Sequence, residues 1–200
     1  MKKFKNILYM CDNLISLYNT KQNKILTYRL TSDILKNGKI ANINSFIDKY
    51  KVFLKEKNLN NNILGESINI IINPSLTKCD KDILINIFKN LNYRTVLLTN
   101  EIKLYKLNST SAFINMNEEY TILTYINEFK EKISFLIENN LLTESQFLDL
   151  VITKINNKEV FIFGLSSSIS SFITSLETKN NNVIYEYSNK ETFLIDSIYK

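Results

Sequence analysis

Residues 68–107 read INIIINPSLTKCDKDILINIFKNLNYRTVLLTNEIKLYKL. The apolar run Ser67–Ile72 that leads into them scarcely alternates, the pattern of a strand covered on both faces. Pro74 has no amide to give a ladder and ends it. Thr77 is an N-cap with Asp80 at the third helical position, so a helix is expected from Lys78 to Leu91. Leu84, Ile87, Phe88 and Leu91 form its buried stripe. Thr95–Leu98 is the next strand, and strand–helix–strand at this length is a right-handed parallel βαβ unit. A short helix follows at Glu101–Leu107.

Upstream, the chain reads as a β-meander. Ile7–Cys11, Leu14–Tyr18 and Ile25–Leu30 are strands, separated by the turns Asp12-Asn13 and Thr20-Lys21-Gln22-Asn23. Asn and Asp favour such turns because they tolerate positive φ. Gly38 breaks the chain, and a helix spans Asn44–Lys57 with Ile43, Ile47, Tyr50 and Leu54 along one face. Asn58–Asn62 is a polar loop.

Downstream, Ser111–Met116 and Tyr120–Ile126 form a hairpin around Asn117-Glu118-Glu119. Asn127–Glu138 reads as a helix carrying Phe129, Ile133, Leu136 and Ile137. Thr143 and Gln146 make a capping box for a second helix, with Phe147, Leu150, Val151 and Ile155 as its stripe. Glu159–Phe163 is a strand, Ser167–Leu176 a helix, Val183–Tyr187 a strand and Glu191–Ile198 a last helix. No repeat of fixed period and no low-complexity linker divides the chain.

Composition excludes several chemistries. With 200 residues, 44% of them hydrophobic, the chain holds a sizeable core in one domain or two small lobes. It has no histidine, which rules out His-based acid–base catalysis, Ser-His-Asp triads and His-ligated metal sites. The net charge of +5 comes from lysines spread along the chain, with only Arg29 and Arg94 beside them. A nucleic-acid binder clusters these charges on one stripe, so no nucleic-acid partner is expected. Cys11 and Cys79 read as two free buried thiols in a reducing cytoplasm. No secretory signal is visible, and nothing approaches the roughly 18 apolar residues of a membrane span. Phosphate-loop, dinucleotide, CxxC and HExxH motifs are absent from the sequence. Eleven tyrosines and twelve phenylalanines fall mostly on apolar stripes, as core residues do.

This order of elements resembles the actin / heat-shock chaperone / sugar kinase superfamily, and within it the bacterial actin-like (MreB-type) proteins. Pro74, Ser75, Thr77 and Glu101 match the family's strand ending in Pro-Ser, its Thr-capped helix and its acidic turn; Ile102 stands where the family has Pro. Lys36–Phe53, Ser111–Tyr125 and Val160–Ile173 fit more loosely. The resemblance implies an α/β, actin-like (ribonuclease H-like) fold of mixed sheets with flanking helices in two lobes. The first would span 1–108 and the second 109–200. Family members run to well over 300 residues, so the second lobe is expected to be truncated.

The resemblance also locates a nucleotide cleft, and there the sequence departs from it. The family wraps phosphates in two Gly-rich hairpin turns, because backbone N–H groups must approach the oxygens with no Cβ in the way. Here the first turn is Asp12-Asn13, short and without Gly. In the second, the metal-orienting Asp is replaced by Asn115, and Asn117 is followed by Glu118 and Glu119, whose charge repels triphosphate. The adenosine turn keeps Gly164 and is otherwise Ser-rich from Ser166 to Ser168. Glu101 matches the glutamate near the attacking water, but one carboxylate does not position an in-line phosphoryl transfer. A carboxylate near a helix N-terminus is also simply favoured by the dipole.

The expectation is therefore a pseudo-ATPase with no cofactor and no metal. It would be a cytoplasmic, actin-like scaffold or interaction protein linked to cell shape, division or cytoskeleton assembly. Its partner would be an actin homologue, a membrane-anchored complex or itself. The alternatives are a divergent ATPase that still binds ATP, with Glu101 catalytic, and a pilus or secretion adaptor that clasps a membrane-protein peptide.

Overall fold

The computed structural model describes residues 4–59, 65–105, 107–117, 120–155, 158–163, 174, 176, 184–187 and 190–199. The chain forms two compact units: Met1–Leu104 together with Glu191–Lys200, and Tyr105–Lys190. The second unit is thus an insertion between two stretches of the first. The expected boundary at 108 lies four residues further on, and the last helix groups with the first unit.

The first unit is built on the sheet order β3-β2-β1-β6-β7. Here β1 is Asn6–Cys11, β2 Leu14–Asn19, β3 Lys24–Arg29, β6 Ser67–Ile72 and β7 Thr95–Asn100. The first three form the expected antiparallel meander, with Cys11 opposite Leu14 and Asn19 opposite Lys24. β6 then runs parallel to β1 and β7 parallel to β6. Ile68, Ile70 and Ile72 on one face of β6 and Asn69 and Ile71 on the other are all buried, as a strand covered on both faces requires.

Between β3 and β6 lie two short strands, β4 (Leu35–Lys36) and β5 (Lys39–Ile40), and helix α1 (Ile43–Glu56). Asn42 caps α1 by accepting from Ser45 N at 3.1 Å. The buried face is Phe46, Tyr50, Phe53 and Leu54. Ile43, expected on that stripe, is 42% exposed, because the larger aromatic face turns inward in its place. Phe46 and Tyr50 pack edge-on against Phe88 of helix α2 (Lys78–Asn90), and the Tyr50 and Tyr93 hydroxyls hydrogen-bond at 2.8 Å. The α2 capping box forms as the sequence dictates: Asp80 N donates to Thr77 Oγ1 and Thr77 N to Asp80 Oδ2. Cys79, in the first turn of α2, is exposed and Cys11 half-buried, so the expectation of two buried thiols fails; both are free. The helix expected after β7 is a single 3-10 turn, Glu101–Leu104. Helix α4 (Lys190–Tyr199) ends the chain, with Leu194 and Ile195 buried.

The second unit has the sheet order β10-β9-β8-β11-β12. Its strands are β8 Ser111–Met116, β9 Tyr120–Ile126, β10 Lys132–Glu138, β11 Glu159–Phe163 and β12 Ile184–Tyr187. An antiparallel meander of three strands is again followed by two parallel ones. Helix α3 (Glu144–Ile155) crosses from β10 to β11 and is capped by Thr143 and Gln146 as expected. It buries Leu148, Val151 and Ile155 against Ala112, Ile114, Leu123, Val160 and Ile162.

The helix expected at Asn127–Glu138 is instead a tight turn and strand β10. Asn127 Oδ1 accepts from Glu131 N at 2.8 Å, Lys130 N donates to Asn127 O, and Lys130 takes φ 62°. The chain therefore reverses, and Lys132–Glu138 pairs with Ile126–Tyr120. Ile133 and Ile137 are β-branched and Phe135 stacks on Tyr125, side chains that suit a pleated surface. The expected helix Ser167–Leu176 lies outside the described residues except for Thr174 and Leu176, which are helical.

Candidate functional site

The first candidate turn joins β1 to β2. Cys11 and Leu14 are paired directly, so Asp12 and Asn13 alone make the reversal, with Asp12 at φ 47°. The outer side of the turn is already engaged. Gly38 N donates to Asp12 O at 3.0 Å, and Leu30 N donates to Asn13 O at 2.8 Å.

Gly38 reaches that position through a second two-residue turn, Asn37-Gly38 between β4 and β5, with φ of 53° and 71°. Positive φ at both central residues is the geometry that Asn-Gly favours. A Cβ at Gly38 would sit 3.0 Å from Met10 O. Beneath it, Asn73 Nδ2 donates to Asn37 O at 3.4 Å, and Asn73 Oδ1 accepts from Ser75 N at 2.9 Å. Asp12 Oδ1 and Asn37 Oδ1 are buried with no hydrogen-bond partner among the described residues. Asp12 Oδ2 takes a weak donor, the Cys11 thiol at 3.5 Å. The sequence announces this floor through Asn37-Gly38, a hairpin signal that reading Gly38 as a bare break misses.

Glu101 lies in the same unit at the end of β7. It is 1% exposed, and Tyr9 Oη, also buried, donates to its Oε2 at 3.4 Å. The side chain before it, Asn100, accepts from Ile102 N at 3.0 Å and sets the 3-10 turn.

In the second unit, Asn115 is buried on β8 between Ile122 of β9 and Phe163 of β11. Asn117 N donates to Tyr120 O at 2.9 Å and closes the second candidate turn. Asn139, after β10, braces it: Asn139 Nδ2 donates to Asn117 O at 2.7 Å, and Asn139 Oδ1 accepts from Thr121 Oγ1 at 2.9 Å. Sequence reasoning had no signal for Asn139, because its role depends on a strand that reads as a helix. Glu118, Glu119, Gly164, Ser166, Ser167 and Ser168 lie outside the described residues.

Among the described residues, no group of three or more His, Cys, Asp or Glu side chains could hold a metal ion. Asp12 is the single carboxylate at the first turn, and Glu101 is buried against a tyrosine hydroxyl.

In both units the first two strands of an antiparallel meander form a hairpin, and the first strand is paired in parallel on its other side. Solved structures share this architecture. The ethanolamine utilization protein EutJ of Carboxydothermus hydrogenoformans superposes with a TM-score of 0.67 at 8% identity, over 100% of this chain and 91% of that one. MreB5 of Spiroplasma citri, bound to AMPPNP, gives 0.63 at 11% identity, over 98% and 96%. A Bacteroides thetaiotaomicron protein with actin-like ATPase fold and unknown function gives 0.59 at 10% identity, over 98% and 96%. The chain has the actin-like ATPase fold. No protein-family model and no curated protein matches it. The actin-like fold accounts for the paired sheets, and at these identities it is the fold alone that is shared. No helix among the described residues is long and apolar enough to cross a membrane.

Proposed function

We propose that this chain is an actin-like scaffold or interaction protein that works without nucleotide, in cell shape, division or cytoskeleton assembly. The observation that carries the reading is the first turn. A phosphate cradle needs several residues whose amides point outward at the ligand. Asp12-Asn13 is a two-residue reversal, and the carbonyls of both residues are tied to Gly38 and Leu30. The second turn is likewise closed on itself and braced by Asn139. A two-residue reversal offers no open loop of donors. Titration calorimetry with ATP and Mg²⁺ tests this: no heat of binding is expected up to millimolar nucleotide, and micromolar affinity overturns it.

A second reading, a divergent ATPase, draws on one specific observation. Glu101 is a buried carboxylate at the end of a sheet strand, and a structural neighbour carries AMPPNP. It requires phosphate release that Glu101→Ala abolishes while Glu101→Gln retains binding. Equal, background-level release from all three proteins removes it.

A further inference from the structure

Among the described residues of the second unit, the large exposed apolar side chains lie on one strand or just beyond its ends. Phe135 and Leu136 on β10 are 37% and 50% exposed, and Phe129 and Leu141 just beyond its two ends are 83% and 68% exposed. β10 is an edge strand of its sheet, seven residues long, without Pro or bulge. Proteins ordinarily blunt such edges, since an unpaired row of N–H and C=O groups is a template for another chain.

The ladder fixes which groups face outward. Asn127 N donates to Glu131 O at 2.9 Å, which makes residues 127 and 131 a hydrogen-bonded pair. Pairs alternate along an antiparallel ladder, so Ile133, Phe135 and Ile137 direct their amides and carbonyls at β9. Lys132, Ser134 and Leu136 then present theirs at the open edge, and so does the Glu138 amide, while Glu138 O accepts from Leu141 N at 3.1 Å.

The strand Lys132-Ile133-Ser134-Phe135-Leu136-Ile137-Glu138 is complementary to itself in the antiparallel sense. About a two-fold axis at Phe135, Lys132 meets Glu138 of a second copy and Ile133 meets Ile137. Ser134 meets Leu136, and Phe135 meets Phe135. The outward-facing residues pair only with outward-facing residues in this register: Ser134 and Leu136 exchange backbone bonds at its centre, and opposite charges meet at both ends. Within the chain, Lys132 Nζ donates to Tyr105 O at 3.0 Å. A parallel pairing in register would set Lys132 on Lys132 and Glu138 on Glu138.

We propose that β10 is a homodimerisation strand: two copies of this chain join β10 to β10 antiparallel and make one continuous ten-stranded sheet from their second units, each contributing five strands. The interface is isologous, and Phe135 lies on its axis. This names the partner in the interaction-protein reading and rests on that reading for its purpose, but not on the state of the nucleotide site. Calorimetry with ATP and sedimentation of the protein alone can therefore fail separately.

Sedimentation equilibrium of the full chain is expected to show a monomer–dimer equilibrium. Glu138→Lys should weaken it about tenfold, since two cross-strand pairs are reversed. The exchange Lys132→Glu/Glu138→Lys should restore it, an outcome that a loss of folding would not produce. Ser134→Pro, which removes an outward amide and no intrachain ladder bond, should leave a folded monomer by circular dichroism. In a Cys79→Ser background, Phe135→Cys should cross-link the dimer on mild oxidation and Leu97→Cys on β7 should not. A monomer throughout, a dimer indifferent to Glu138→Lys and Ser134→Pro, or equal cross-linking of both cysteine variants each overturns the proposal.

Discussion

Gly38 carries the strongest single-residue constraint in the first unit. Its φ of 71° lies where a Cβ is strained, and that Cβ would stand 3.0 Å from Met10 O, a backbone atom that cannot swing aside. Gly38→Ala should lower stability by about 1–3 kcal/mol in urea unfolding. Gly38 was legible in the sequence as a breaker but not as the amide that ties off Asp12, because that contact joins segments 26 residues apart in the chain. The Tyr50–Tyr93 pair makes a second prediction. Burial pushes both phenols above their ordinary range, although for Tyr50 the hydrogen bond to Tyr93 pulls the other way. The folded state therefore keeps protons that the unfolded chain releases above about pH 10. Their contribution is full below that pH and is lost as pH rises beyond it. Tyr50→Phe should cost about 1–2 kcal/mol at neutral pH, by leaving the Tyr93 hydroxyl buried and unpaired, and should flatten the alkaline fall in stability measured by urea titration. Nothing in the sequence pairs these two tyrosines, since each simply falls on its own apolar stripe.

At the scale of elements, the two helices that announced themselves by capping residues formed where expected, whereas of the two read from the spacing of apolar residues Asn44–Lys57 formed and Asn127–Glu138 did not. Thr77 with Asp80 and Thr143 with Gln146 are local chemistry: a hydroxyl and a side-chain acceptor three residues on fix the helix start whatever else the chain does. Thr143→Ala should therefore cost about 1 kcal/mol in urea unfolding, and Thr143→Ser should restore most of it. Asn127–Glu138 shows the opposite case. Phe129, Ile133, Leu136 and Ile137 have helical spacing, but Ile133, Phe135 and Ile137 have strand spacing, and both sets are apolar. The turn at Asn127–Glu131 decides between them, through a side-chain acceptor that competes with helical backbone bonding. The candidate site was legible to a similar depth. Asp12, Asn115, Asn117 and Glu101 could be set on their turns and strand ends from the sequence, and Asn37-Gly38 is a hairpin signal, whereas Asn73 and Asn139 belong to neighbouring segments and carry no motif.

At the scale of the molecule, one plan is used twice: an antiparallel meander, a helical crossover, and two parallel strands beside the meander's first strand. No repeat of fixed period betrays it, because the two copies share topology and burial pattern rather than residues. Each copy has its own core, one running from Leu8 to Tyr93 and the other from Ala112 to Leu176, with no residue in common. The second copy is inserted into the first, which is completed by Glu191–Lys200 at the far end of the chain. A discontinuous unit depends on its returning segment, and in α4 that segment buries Leu194 and Ile195 almost completely. Leu194→Ala should destabilise the first unit by about 2–5 kcal/mol through lost burial and the cavity left behind. Val151→Ala should act on the second unit alone, by a smaller amount because fewer atoms are removed. Differential scanning calorimetry checks both. The calorimetric enthalpy is expected to exceed the van't Hoff value, with Leu194→Ala moving one component of the transition and Val151→Ala the other. A single two-state transition, shifted as a whole by either substitution, would mean that the two cores unfold as one.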